Sequence, residues 1–368
     1  MNILNFKRLG LRRVINASGR MSVLGASTLA DSVVDAMGQG GQQYIEMADL
    51  MKKGGDYAAE WLGVERALIV NCAAGGIALT VAGLIAKDDP RAIDKLYEVA
   101  KEESHEFVIL KGHNVDFGAP VETMVHLGGG QLKEAGYANG CRVEQLEAAI
   151  TGKTVAVLYV KSHHCVQKNM PSLEQVKAVC RQYNLPLVVD AAAEEDFSKY
   201  PELADIVIYS GAKAIAGPTS GIVAGKKEFV QYVEKQLTGV GRAMKVGKET
   251  IFGLLQALEN HRKQTPSLES QRSLLKKLET LNGVEGVKVV IQHDEAGRPI
   301  IRGRVYIQPP VTYSAKEVTE QLKSGEVAVY TRDYEADAGY FDIDPRPLQD
   351  GEMEIIVGKL QQILSVTS

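Results

Sequence analysis

At 368 residues, with 45% hydrophobic and 24% charged side chains, the chain has the composition of an ordinary globular protein and the length for two domains. Its net charge is −4 with acids and bases mixed along it, so no basic stripe marks a nucleic-acid surface. No apolar run of signal-peptide or membrane-span length occurs, and four scattered cysteines (Cys72, Cys141, Cys165, Cys180) lack zinc spacing; the expectation is a cytoplasmic protein with reduced thiols and no metal.

The first 60 residues are Gly-rich (GQGGQQY) and read as an irregular arm or active-site cover. From 61 to 247 short apolar runs alternate with helical segments. The runs are Ala67–Val70, Phe107–Leu110, Val155–Val160, Leu187–Val189, Ile206–Tyr209 and Ile222–Gly225. Continuous apolarity predicts strands covered on both faces, and the alternation predicts a doubly wound, mostly parallel α/β domain. Between them SLEQVKAVCRQYN (172–184) carries a helix start signal, and Pro186 opens the next strand. From 248 to 368 the pattern becomes a smaller α+β domain. A long helix runs through ETIFGLLQALENHRKQ, followed by strands Val287–Ile291 and Arg304–Ile307 joined by the turn HDEAGRP. Helices follow near Ser314–Lys323 and Gly351–Leu364.

Chemistry concentrates at strand ends. In IVIYSGAK (206–213) a buried-looking strand ends in Ser210-Gly211 and is followed at once by Lys213. Beyond the carboxyl edge of a sheet a lysine is partly desolvated, and its amine can attack an aldehyde. Asp190 ends the strand LVVD, where it serves either as a helix cap or as the carboxylate that keeps a pyridine nitrogen protonated. NCAAGG (71–76) opens a helix with small residues, suited to close packing or to a phosphate at the helix N-terminus. Phosphate cup, strand-end Asp, then Ser-x-x-Lys in this order match the three ends of pyridoxal 5′-phosphate (PLP).

With these motifs the chain resembles the fold-type I PLP enzymes, aspartate-aminotransferase-like in fold. The stretch YSGAKAIAGPTSGIVAGKKE resembles the selenocysteine synthase (seryl-tRNA selenium transferase) branch, and RRVINASGR through VYTRDYEADAGYFDIDPR extends the similarity over nearly the whole chain. Within that branch it is most similar to the shorter bacterial D-glucosaminate-6-phosphate ammonia lyases. The long selenium transferases carry an added N-terminal domain for tRNA, whereas here the RVINASG motif begins by residue 13, so the expectation is a small-molecule substrate.

The resemblance implies Lys213 as Schiff-base lysine and Asp190 as the ring-nitrogen partner, with Ala74, Gly75, Gly76 and Ser210 on the phosphate. His113, in the loop KGHN, is either a ring stacked on the cofactor or a surface histidine. His163 and His164 follow another strand, where a polar group contacts the cofactor and one of the two acts near the substrate. Arg332, with Arg346 as rival, is the candidate for a substrate carboxylate. Arg242 and Lys245, with Arg12, Arg13 and Arg20, are candidates for a substrate phosphate. The implied reaction removes water and then ammonia from a 2-amino-3-hydroxy sugar acid phosphate. The implied assembly is a homodimer or larger, with no membrane partner. Two alternatives stay open: another β-eliminating or β-replacing enzyme of the branch, and a non-catalytic binding protein on this fold. A Rossmann-type nucleotide site is disfavoured because the G-x-G-x-x-G spacing is missing.

Overall fold

A computed structural model describes residues 5–263, 267–294 and 298–365. The six apolar runs form strands, and the remaining strands come from less uniform sequence. In chain order they are β1 (Arg13–Ala17), β2 (Arg66–Val70), β3 (Glu106–Leu110), β4 (Gln131–Ala135), β5 (Thr154–Val160) and β6 (Leu187–Asp190). Then come β7 (Ile206–Ser210), β8 (Gly221–Gly225), β9 (Val287–His293), β10 (Ile301–Ile307), β11 (Val327–Thr331) and β12 (Tyr340–Ile343).

Two compact units divide the chain, Leu29–Gln264 and Met1–Thr28 together with Thr265–Ser368. The large unit holds a seven-stranded sheet in the order β2-β8-β7-β6-β5-β3-β4. All its pairings are parallel except those of β8, which runs against both β2 and β7. One apolar cluster fills each face: Val108, Val157, Val189 and Val207 on one side, and Ile109, Leu158, Val188 and Ile208 on the other. Burial of both faces is what the unbroken apolar runs required. The edge strand β4, QLKEA, is half wet and carries no such run.

The division into 1–60, 61–247 and 248–368 is redrawn by the packing. Residues 31–41 and 47–62 are helices of the large unit, not an irregular arm. The glycines that made this stretch look irregular are contact points. A Cβ on Gly40 would meet Phe252 at 3.1 Å, and one on Gly55 would lie 2.3 Å from the Ala67 carbonyl. The Lys248 ammonium closes the end of helix Asp31–Gly41, donating to the carbonyls of Gly40 (2.7 Å), Gly41 (2.7 Å) and Gln43 (2.5 Å). Helix Lys248–Lys263 therefore belongs with the large unit too.

In the small unit β1 pairs in parallel with β11, and β12-β10-β9 form an antiparallel sheet. The β9–β10 turn includes residues 295–297, which lie outside the described residues. Helix Ala315–Leu322 is closed by a Ser314–Glu317 capping box. That helix and helix Glu352–Ser365 bury Val318, Leu322, Ile356 and Leu360 against the strands.

Two glycines make the packing argument testable. A Cβ on Gly83, in helix Ala73–Ala86, would fall 2.8 Å from the backbone of Val233, whereas one on Gly358, in helix Glu352–Ser365, meets nothing within 4 Å. Gly83→Ala is expected to destabilise by about 1–3 kcal/mol through overpacking. Gly358→Ala is expected to stabilise by roughly 0.5–1 kcal/mol through helix propensity. Chemical denaturation of both variants checks the opposite signs.

Candidate active site

The carboxyl ends of the parallel strands lie along one edge of the large sheet, and there the chain places its reactive side chains. After β7 a closed loop forms: the Gly211 N–H donates to Ser220 O (2.9 Å), and the Gly217 N–H to Gly211 O (2.8 Å). Gly211 must be glycine, since a Cβ would sit 2.1 Å from Ser220 Oγ. Lys213 lies half-buried in this loop. Neighbouring β6 ends in Asp190, 8% exposed, whose Oδ1 accepts the Ala192 N–H at 3.0 Å. Burial raises the Asp190 carboxyl above its ordinary range, while the Ala192 N–H and the positive charge of Lys213 pull it down. The two residues that the sequence singled out therefore act on each other.

The phosphate cup is built differently from expectation. The Gly75 N–H is already taken by Cys72 Sγ (3.2 Å) and the Gly76 N–H by Cys72 O (2.9 Å). Gly76 is small because a Cβ would press on Val223 and Ile208 at 3.1 and 3.2 Å. Its glycine serves helix–strand packing. Ala73 and Ala74 lie in the first turn, where helix N–H groups have no intrahelical acceptor. Ser210 pairs with Gly221, and a Cβ on Gly221 would fall 2.7 Å from the Ala73 nitrogen. Ser210 and the helix start thus share one spot at the sheet edge.

His113 is not a surface-loop histidine. It is 0% exposed and set edge-on against Tyr159 with centroids 4.5 Å apart at 88°; among the described residues its ring nitrogens make no well-formed hydrogen bond, the Val166 backbone being the polar group that acts on the ring. Burial, with the charge of Lys161 adding to it, lowers its pKa to about 4, so the ring is neutral at physiological pH. His163 and His164 are exposed, their rings 4.0 Å apart. Arg242 and Lys245 are exposed at a turn of the large unit. Asn71, the first residue past β2, was not singled out in the sequence; among the described residues its buried Oδ1 has no donor.

In the small unit the two arginine candidates separate. Arg346 is committed to Asp344 through Nε (2.9 Å) and a second nitrogen (2.6 Å), and Asp344 also takes Arg302 at 3.2 Å. Arg304 holds Asp342 with two bonds. Arg332 is half-buried over the Tyr334 ring at 5.0 Å and, among the described residues, forms no ion pair with a carboxylate. Arg12 donates to Lys323 O and Arg13 to Glu352, which gives both a structural use; Arg20 is half-buried.

The large-unit residues fit PLP. The desolvated Asp190 asks for a positively charged N–H donor, which a protonated ring nitrogen is. Lys213 is within electrostatic reach of Asp190. Ala73, Ala74 and Ser210 offer N–H and O–H donors suited to a phosphate. His113 and Asn71 bring buried polar atoms that make no well-formed hydrogen bond among the described residues.

Comparison with known proteins agrees with this chemistry. The beta-eliminating lyase family matches residues 42–295. The D-glucosaminate-6-phosphate ammonia lyase of Salmonella typhimurium is 43% identical over 361 residues, 97% of each chain. A 5′-C-glycyluridine monooxygenase-decarboxylase from a Streptomyces species is 33% identical over 98% of this chain and 92% of its own. The solved structure of a D-glucosaminate-6-phosphate ammonia-lyase superposes with a TM-score of 0.91 at 40% identity, covering all of both chains. The chain belongs to the beta-eliminating lyase family, and is an enzyme of PLP fold type I.

Proposed function

We propose that the chain is an ammonia lyase acting on a 2-amino-3-hydroxy sugar acid phosphate, D-glucosaminate 6-phosphate, and releasing 2-keto-3-deoxygluconate 6-phosphate and ammonia. The observation that carries this reading is the Lys213–Asp190 pair, in a chain 43% identical from end to end to an enzyme of that name. PLP, when bound, supplies the electron sink for charge developing at the substrate Cα.

The residues divide the remaining work. Asp190 holds the ring nitrogen protonated. Ala73, Ala74 and Ser210 would hold the phosphate, and the neutral His113 imidazole would lie on the ring side. Lys213 would hold the aldehyde end through its amine. When free, that amine removes the Cα proton and then, as an ammonium, gives it to the departing β-hydroxyl, so the hydroxyl and that proton leave together as water. His163 and His164 are second candidates for that proton. The released enamine takes up water and yields the keto acid and ammonia. Arg332, which among the described residues forms no ion pair, takes the substrate carboxylate in preference to Arg346. The exposed Arg242 and Lys245 remain candidates for the terminal phosphate. Cytoplasmic location and a homodimer or larger assembly complete the reading; among the described residues no helix is long and apolar enough to cross a membrane.

The similarity to the Streptomyces enzyme favours one second reading, a PLP reaction of the same branch on another amino acid. Ammonia and 2-keto acid formed without oxygen uptake separate the two.

Lys213→Ala is expected to abolish turnover, and borohydride is expected to fix the cofactor on Lys213 of the wild type, located by peptide mass. Asp190→Asn should lower kcat by roughly 10²–10⁴. Ordinary activity in either variant would refute the assignment. For His113 the sign follows from its lowered pKa of about 4 against about 6.5 unfolded. Its stabilising share is complete above pH ~6.5 and is lost as pH falls toward ~4, because unfolding then takes up a proton. Urea titrations from pH 7 to 4 should show a shallower loss of stability in His113→Gln than in wild type.

A further inference from the structure

Lys161 follows β5 directly, on the sheet edge that carries Asp190, and its backbone N–H donates to the Asp190 carbonyl at 2.9 Å. Its side chain is half-buried, and Nζ has one hydrogen-bond partner, Gln167 Oε1 at 3.0 Å. Among the described residues Lys161 has no carboxylate within ion-pair distance. The Gln167 Nε2 is buried and has no acceptor. Val166 N–H donates to Gly112 O at 3.0 Å, and Cys165 Sγ lies 4.0 Å from the His113 carbonyl, so the loop holding Gln167 is tied to the turn that carries His113. The Lys161 charge acts on both the His113 ring and the Cys165 thiol.

Two other half-buried lysines, Lys248 and Lys359, are fully used. Lys248 donates to three carbonyls, and Lys359 donates to Leu322, Ser324 and Val327, each at 2.7 Å. Lys161 and Gln167 present unpartnered donors: two further N–H bonds of an ammonium and the buried amide N–H bonds of a glutamine whose oxygen already accepts from Lys161. A partly desolvated cation without a counter-ion is costly unless an anion completes it.

We propose that Lys161 and Gln167 form an anion subsite of the active site that receives an oxygen of the substrate's carboxylate or phosphate. The proposal rests on the substrate reading above, which supplies two anionic ends where Arg332 accounts for one. Lys161→Met and Gln167→Leu holoenzymes, assayed with D-glucosaminate 6-phosphate, are expected to lose at least tenfold in kcat/KM, with the loss in KM. Lys161→Arg should recover part of it. The cofactor absorbance band should stay in place.

D-Glucosaminate without phosphate identifies the source. If the phosphate occupies the subsite, the Lys161→Met penalty disappears with this substrate; if the carboxylate does, the penalty persists. An unchanged KM in both the Lys161 and Gln167 variants overturns the proposal. So does a displaced cofactor band with KM intact, which would make Lys161 a cofactor residue. If wild-type holoenzyme releases no ammonia from D-glucosaminate 6-phosphate, the substrate reading fails separately. Titration of inorganic phosphate into wild-type and Lys161→Met holoenzyme then decides the subsite without turnover, weaker binding in the variant supporting it and equal binding overturning it.

Discussion

Everything at the sheet edge follows from one carboxylate taken out of water. Asp190 closes a strand whose four residues are all buried, and burial pushes its carboxyl pKa up. The Ala192 N–H and the Lys213 charge offset part of that cost. A positively charged N–H donor would offset more of it, and a cofactor with a protonated ring nitrogen would bring one. The neighbouring strand ends carry the other polar groups of this edge: His113 after β3, Lys161 after β5 and Ser210 at the end of β7. A parallel sheet with one antiparallel strand beside β7 is the scaffold that brings these ends into one row.

The small unit shows the same physics with the opposite sign. Arg298, Arg302, Arg304 and Arg346 are arranged around Asp294, Asp342 and Asp344. Burial works to raise the Asp344 carboxyl, yet bonds and charges from Arg346 and Arg302 hold it below its usual range. Burial lowers the Arg332 pKa, and the nearby charge of Arg302 adds to that. Arg346, by contrast, has its guanidinium matched by two short bonds to Asp344.

Much of this was legible in the sequence, and the exceptions have physical causes. The six apolar runs announced strands because both sheet faces are covered. Lys213 and Asp190 announced themselves as polar residues at the ends of such runs. Strand β4 stayed hidden because an edge strand with one wet face needs no apolar run. Helices 31–41 and 47–62 were misread as an irregular cover, since their glycines, placed for close packing, resemble loop glycines. For His113 the polar loop KGHN left a stacked ring and a surface histidine both open, because its burial against Tyr159 is a tertiary fact. No local pattern distinguishes Arg332 from Arg346, because the difference lies in Asp344 claiming one of them.

The pairing of β1 with β11 joins residues 13–17 to residues 327–331. Synthesis runs from the amino end, at about 5–20 residues per second. The first strand therefore leaves the ribosome roughly 15–60 s before its partner exists. Meanwhile the contiguous Leu29–Gln264 segment can complete its own sheet. The amino-terminal segment must wait with Val14, Ile15 and Ala17 unpaired, a nascent-chain stage in which a chaperone has a strand-like apolar sequence to hold.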